Sequence, residues 1–230
     1  MSDPVRIALV AEGPTDAIVI EAALSAMLGE RAFVLKQLQP VGSIAFGPLG
    51  GGWGGVYRWC KQSALRGGGN LGGDALVFAN YDLLLLHVDA DVADETYGNA
   101  NLVPETGDGS LPCAQPCPPA SATTDRLRSV VLSWSGMTAC PAHTVICMPS
   151  KSTETWVIAA LFPADAAYRS HKECLLDPAG RLAQQPKARR IGKTQKDYRA
   201  RAGAMEAAWG DVLHLGEASR FQTELSAALA

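Results

Sequence analysis

The sequence lacks several features that mark whole classes of protein. No apolar run approaches the roughly 20 residues that a membrane-spanning helix needs, so we expect no membrane partner. The apolar stretch from Ile7 to Ala11 is too short for the core of a signal peptide and ends at Glu12, which favours a cytoplasmic location. There is no internal repeat, no heptad pattern and no G-x4-G-K-[ST] phosphate loop, so solenoid, coiled-coil and P-loop proteins are excluded.

The chain also has little net charge. Its 20 basic and 23 acidic side chains leave −3, which excludes a uniformly basic nucleic-acid coat protein. This average combines two opposed regions. Residues 82–108 contain seven acids and no Lys or Arg, whereas residues 187–201 contain seven basic side chains and one acid. A length of 230 residues suits one domain, or one domain with an appendage.

Short β-branched or apolar runs alternate along the chain with segments of helical periodicity. This alternation predicts an α/β fold with a mainly parallel sheet flanked by helices. We predict strands at 5–10, 33–38, 81–88 and 144–148. Thr15 and Ser152 are the expected N-caps of helices that follow the first and last strands, and Gly29 is expected to close the first of these helices. Further helices are expected at 56–65, 123–134, 194–208 and 217–229.

Two segments fall outside this pattern. Residues 47–73 are rich in glycine, and we interpret them as a mobile linker rather than as a backbone cradle for phosphate. Residues 92–120 show little periodicity and are expected to form a long loop insertion. The predicted division is a catalytic domain at 1–165, which includes both segments, and a basic, helical C-terminal extension at 166–230.

The six cysteines are predicted to be reduced thiols, because the chain shows no export signal. Cys60, Cys147 and Cys174 lie singly among apolar neighbours, where cysteine behaves as a small hydrophobic residue. A zinc site is the less favoured alternative, since the helix predicted at 123–134 separates the two candidate ligand pairs. Its four ligands would be Cys113, Cys117, Cys140 and His143.

Carboxylates follow two of the predicted strands. Asp89 and Asp91 come after the third strand, and in extended chain both side chains leave the same face. Glu12 follows the first strand, with Asp16 one helical turn later. If these strands are neighbours, the four acids converge at the carboxyl edge of the sheet, where oxygen ligands suit Mg²⁺ or Mn²⁺. Two such ions are the usual device for displacement at phosphodiesters.

These motifs resemble the Toprim domain of topoisomerases, primases and OLD-type nucleases. The resemblance rests on the segment from Ala11 to Asp16 after an N-terminal strand and on the segment from Leu84 to Asp91, and it covers roughly residues 5–160. It implies that Glu12, Asp89 and Asp91 bind Mg²⁺, that Glu12 acts in acid/base chemistry, and that Asp16 is the second acid of the OLD-type members. Similar small prokaryotic Toprim-like proteins, some encoded beside defence genes, carry an acid on the helix after the last core strand, a place that Glu154 fills. Glu154 is expected either to bind the metal, directly or through water, or only to complement the helix dipole.

Basic residues complete the predicted site. Lys151 is a candidate for stabilising charge on a transferred phosphate. The basic segment, residues 187–201, is expected to bind a nucleic-acid backbone, with Tyr198 as a possible stacking ring. Its seven basic residues are Lys187, Arg189, Arg190, Lys193, Lys196, Arg199 and Arg201.

Together these features predict a Mg²⁺- or Mn²⁺-dependent nuclease acting on DNA or RNA, and the resemblance adds a role in prokaryotic defence. The resemblance leaves open whether an ATPase partner is needed. Two alternatives stay open. Asp89 also fits the nucleophile of a haloacid-dehalogenase-like phosphatase, although that motif usually lies on the first strand. The second alternative is a non-catalytic nucleic-acid-binding subunit with a Toprim fold.

Overall fold

The computed structural model describes residues 3–40 and 49–230 of the chain. Its centre is a four-stranded sheet with the order β2-β1-β3-β4, and every pair of neighbouring strands is parallel. This confirms the α/β prediction, and each strand lies within a few residues of its predicted place. The strands are β1 (Val5–Val10), β2 (Phe33–Gln39), β3 (Leu83–His87) and β4 (Thr144–Cys147).

Helices cover both faces of the sheet. The helix after β1 begins at Pro14 with Gly13 as N-cap, so the predicted cap at Thr15 was wrong; proline suits the first helical position because its missing N–H has no partner to lose there. Gly29 closes that helix with φ 54°, as expected. The helices are α1 (Pro14–Leu28), α2 (Gly52–Arg66), α3 (Ala75–Phe78), α4 (Ser121–Trp134), α5 (Thr153–Leu161), α6 (Ala166–His171), α7 (Pro178–Ala183), α8 (Gln195–Arg199), α9 (Ala202–Ala207), α10 (Trp209–Val212) and α11 (Gly216–Ala228).

The alternation of side chains along β3 divides the core in two. Leu83 and Leu85 belong to a buried cluster with residues of α1, α5 and the C-terminal helices. Leu84 and Leu86 belong to the cluster on the other face, with residues of α2 and α4. A strand that is buried on both faces reads as a continuous apolar run, which explains its sequence.

The C-terminal helices pack on the α1/α5 face. Phe221 of α11 stacks on Trp156 of α5 at a centroid distance of 5.9 Å, and Tyr198 and Met205 are buried in the same cluster. The helix predicted at 194–208 is divided into α8 and α9. The domain division at residue 165 stays a prediction, but residues on both sides of it share this core.

The glycine-rich segment is not a linker where the structure describes it. Residues 47 and 48 lie outside the described residues, while α2 begins at Gly52. A Cβ at Gly55 would collide with the side chain of Gln39 and the carbonyl of Gly50. Glycine here therefore allows α2 to approach the end of β2 closely.

The loop at 92–120 is anchored to α2. The Asp108 carboxylate accepts a hydrogen bond from the Tyr57 hydroxyl at 2.8 Å and from the Lys61 Nζ at 2.9 Å. Within the loop, short 3₁₀ turns lie at Ala90–Asp94 and Tyr97–Ala100. The insertion thus packs on the sheet's α2/α4 face through specific contacts. In the described part of the chain, no helix is long and apolar enough to cross a membrane.

The cysteines depart from the prediction. Cys117 and Cys174 form a disulfide, so the expectation that both are reduced thiols was wrong. The bond joins the loop at 92–120 to the C-terminal extension, and a local pattern cannot reveal such a pairing because the two residues are 57 positions apart. It also occupies one of the four proposed zinc ligands. Cys113 and Cys140 are free, and Cys60 and Cys147 are buried free thiols.

Candidate metal centre

Four chain segments meet at the carboxyl edge of the sheet. Because β1 and β3 are parallel neighbours, Glu12 after β1 and Asp89 after β3 lie beside each other. The first turn of α1 adds Asp16, and the first turn of α5 adds Glu154. Three of the four acids that were predicted to converge, Glu12, Asp16 and Asp89, therefore lie together, and Glu154 joins them.

Asp89 is the centre of the contacts in this group. Its backbone N–H donates to Glu12 Oε1 at 2.8 Å, and its Oδ1 accepts from the backbone N–H of Thr153 at 3.1 Å. The Thr153 hydroxyl donates to Asp16 Oδ1 at 2.7 Å. These bonds fix Asp16 and Asp89 side by side, and both side chains are buried.

His87 is a member of the group that sequence reasoning did not select. It ends β3, its side chain is fully buried, and its Nε2 lies 3.2 Å from Asp89 Oδ1. The alternation of side chains between the two faces of β3 could have identified His87. It shares a face with Leu83 and Leu85 and precedes Asp89 by two residues.

The acid–base properties of the group reflect burial and mutual repulsion. Burial raises the pKa of Glu12 well above its usual range, and the negative charge of Asp89 adds to the effect. Burial likewise raises the pKa of Asp89. Burial lowers the pKa of His87, but its contact with Asp89 and the charges of Asp16 and Glu12 outweigh this and raise it to about 9. The charged forms of these acids therefore repel one another, and a bound cation would relieve that repulsion.

Glu154 is held by the basic segment. Its Oε1 accepts from the Tyr198 hydroxyl at 2.7 Å and lies 3.3 Å from Lys193 Nζ. Burial raises the pKa of Glu154, but Lys193 and its hydrogen bonds lower it overall. The proposed stacking role of Tyr198 was wrong, because its ring is 2% exposed and packs in the core.

Asp91 and Lys151 are predicted site residues that lie outside the group of Asp16, His87 and Asp89. Asp91 is in the 3₁₀ turn at Ala90–Asp94, so the expectation of extended chain with both aspartates on one face was wrong. Its side chain is exposed, and it is not one of the three grouped ligands described below. Lys151 Nζ pairs with Asp94 Oδ2 at 3.4 Å. The backbone N–H of Asp91 donates to the Lys151 carbonyl at 3.0 Å, which keeps the two residues together.

A cleft of about 520 Å³ opens above the acids. Glu12, Asp16 and Asp89 line one side, and Lys193 and Gln195 line another. All seven basic residues of the basic segment are exposed, and Arg189 lies over the ring of Phe162 at 5.0 Å. The basic segment therefore borders the acidic group directly.

The residues of this edge fit a divalent cation. Asp16, His87 and Asp89 each offer a ligand atom, and these atoms all lie within 4.8 Å of one another. Neither ring nitrogen of His87 has a hydrogen-bond partner, and neither does the buried Oε2 of Glu154. Buried polar atoms are normally paired, so these atoms are available to a ligand. Among the residues described, this is the one set of three potential ligands that lies so close together.

No protein-family model matches the chain, and neither a curated protein nor a solved structure matches it significantly.

Proposed function

We propose that the protein is a divalent-metal-dependent nuclease that hydrolyses phosphodiester bonds. One observation carries the proposal: a single cleft is lined by Glu12, by the buried acids Asp16 and Asp89, and by Lys193 of the basic segment. Acids of this kind bind a metal ion, and a cation beside them attracts a phosphate. The Toprim resemblance stays a prediction from the sequence, and so do the defence role, the ATPase partner and the cytoplasmic location.

The side chains have distinct roles in this proposal. Asp16 and Asp89 hold the metal, together with His87 or Glu154. A bound divalent ion supplies Lewis acidity and lowers the pKa of water. Glu12 lines the cleft beside Asp89 and is placed to take the proton of an attacking water. Lys193 reaches the same cleft and offsets negative charge on the phosphate. Asp91 stays a predicted further metal ligand, since its charge interacts with Glu154 and Lys193, and Lys151 stays a predicted contact to the phosphate.

The basic segment gives the substrate class. Its net charge of +6 within fifteen residues, all of its basic side chains exposed, fits an extended polyanion better than a small phosphate ester. A strand bound by this segment at Lys193 would have a phosphate beside the acids that line the same cleft. Both DNA and RNA satisfy this requirement.

Cleavage of labelled single- and double-stranded DNA and of RNA, with Mn²⁺ or Mg²⁺, tests the proposal. We expect cleavage that stops in EDTA and falls by on the order of 100-fold or more in Asp89→Asn. Asp82→Asn is the matched control, because Asp82 precedes the same strand at its opposite end and forms an exposed pair with Arg6. Cleavage by Asp89→Asn at the wild-type rate would overturn the proposal.

The same assay separates the two alternatives. A phosphatase with Asp89 as nucleophile would release phosphate from a small phosphomonoester and would leave polynucleotides uncut. A non-catalytic subunit would bind nucleic acid without cutting it in either metal. A nuclease explains better than either alternative why the basic segment lies beside the acids.

A further inference from the structure

The position of His87 bears on which metal ion the site takes. The imidazole lies at the end of β3, fully buried, with its Nε2 3.2 Å from Asp89 Oδ1. At that distance the ring is close enough for an ion pair but is not aligned for a hydrogen bond, and its Nδ1 has no partner either. A buried imidazole normally hydrogen-bonds through at least one nitrogen. Among the described residues, the Nδ1 of His87 therefore has no polar partner, and Nε2 has only the Asp89 carboxylate beside it, so the imidazole is placed to bind a ligand inside the acidic group.

A metal ion satisfies this imidazole and the acids together. The ligand atoms of Asp16, His87 and Asp89 lie within 4.8 Å of one another, which is compatible with a shared ion. Mg²⁺ prefers oxygen ligands alone, whereas an imidazole nitrogen favours first-row transition metals. From this donor set we infer that His87 is a direct metal ligand and that the site selects a transition-metal ion over Mg²⁺.

This inference rests on the metal-binding part of the proposed function, because it concerns the same site. It narrows the expected Mg²⁺ or Mn²⁺, which followed from the carboxylates alone, to the transition-metal ion. It does not depend on what the substrate is, so it is tested without any cleavage assay.

Pulsed electron paramagnetic resonance of the protein loaded with Mn²⁺ gives a direct test. We expect an electron spin-echo modulation from a bound ¹⁴N nucleus, which changes when the protein is made with ¹⁵N-labelled histidine. His87→Gln should lose the modulation, whereas His171→Gln should keep it, because His171 is exposed on α6. Wild-type protein without nitrogen modulation, or a modulation that persists in His87→Gln, would overturn the inference.

A second variant covers the case in which His87→Gln does not fold. The chain has four histidines, and the three others, His143, His171 and His214, are exposed. A protein with all three replaced by Gln has His87 as its sole histidine. Its Mn²⁺ complex should keep the modulation, and loss of the signal in this folded variant would contradict the inference.

Titration calorimetry measures the selectivity. We expect Mn²⁺ to bind at least about tenfold more tightly than Mg²⁺, and His87→Gln to weaken Mn²⁺ binding by on the order of tenfold or more while changing Mg²⁺ binding less. Equal affinities for the two ions in wild-type protein would count against it. Cleavage in Mg²⁺ without nitrogen modulation would contradict this inference and leave the nuclease proposal in place. Nitrogen modulation without any cleavage would support this inference and contradict the nuclease proposal.

Discussion

The Glu12 carboxylate accepts a hydrogen bond from the backbone N–H of Asp89 at 2.8 Å. This bond joins the segments that follow β1 and β3 just beyond the last paired residues, Val10 and Leu86. It gives Glu12 a structural role in addition to its place in the cleft, because it satisfies a backbone donor inside the buried acidic group. The two roles can be separated by mutation.

Glu12→Gln should preserve the fold and reduce metal binding. The Gln amide oxygen can still accept from Asp89, while the negative charge is lost. Glu12→Ala leaves the donor unpaired and should lower the free energy of unfolding by roughly 1–3 kcal/mol. Urea denaturation and Mn²⁺ titration of both variants check this. Equal stability of Glu12→Ala and wild-type protein would mean that the hydrogen bond is unimportant.

Neutralising the basic segment should weaken nucleic-acid binding in a salt-dependent way. Each phosphate contact that is lost reduces the slope of log K against log salt by about 1, so Lys196→Gln/Arg199→Gln should reduce it by up to about 2. Fluorescence anisotropy with a labelled oligonucleotide, without metal, measures the slope. The charge-matched control Lys36→Gln/Arg126→Gln alters exposed residues on β2 and α4. The same slope in both double variants would exclude the segment as the binding surface.

The disulfide between Cys117 and Cys174 should contribute to stability. It closes a loop of 57 residues, and such bonds typically stabilise by roughly 2–4 kcal/mol, mainly by restricting the unfolded chain. Wild-type protein should therefore unfold at lower urea after reduction. Cys117→Ser/Cys174→Ser should unfold at that same lower concentration with or without reductant. If reductant leaves the wild-type midpoint unchanged, the bond does not form in solution.

Stability should also depend on pH through Asp165. The hydrogen bond from Arg181 is the main reason that the pKa of Asp165 falls from 3.8 to about 2. A carboxylate with a lowered pKa stabilises the fold above its unfolded pKa and loses that effect as pH falls toward 2. Asp165→Asn should therefore cost roughly 1.5–3 kcal/mol near neutral pH, and the difference should shrink below pH 4.

Urea denaturation at several pH values measures this difference. Asp211→Asn changes an exposed carboxylate on α10 and serves as the control. A cost of Asp165→Asn that stays constant from pH 7 to pH 3 would show that the Arg181 pair is not its cause.

The sheet and the convergence of acids followed from the sequence because both depend on local patterns. A continuous apolar run such as Leu83–His87 indicates a strand buried on both faces, and parallel neighbours bring their carboxyl ends to one edge. The sequence alone therefore places Glu12 and Asp89 together.

Features that depend on tertiary contacts could not be predicted in this way. Asp91 does not lie in extended chain, because the backbone enters a 3₁₀ turn directly after Asp89. Tyr198 is buried because its hydroxyl reaches Glu154, 44 positions earlier. The pairing of Cys117 with Cys174 is similarly remote. His87 differs from these, because the alternation of side chains along the strand was enough to place it on the face of Asp89, although it was not selected as a site residue.

Anomalous X-ray diffraction from a crystal soaked in Mn²⁺ tests the central claim most directly, namely that the acids at the strand ends bind a divalent ion. The account predicts an anomalous peak within bonding distance of Asp16, His87 and Asp89, and its loss in Asp89→Asn but not in Asp82→Asn. A fully soaked crystal with no peak at this edge of the sheet, or with peaks only at exposed carboxylates elsewhere, would contradict it.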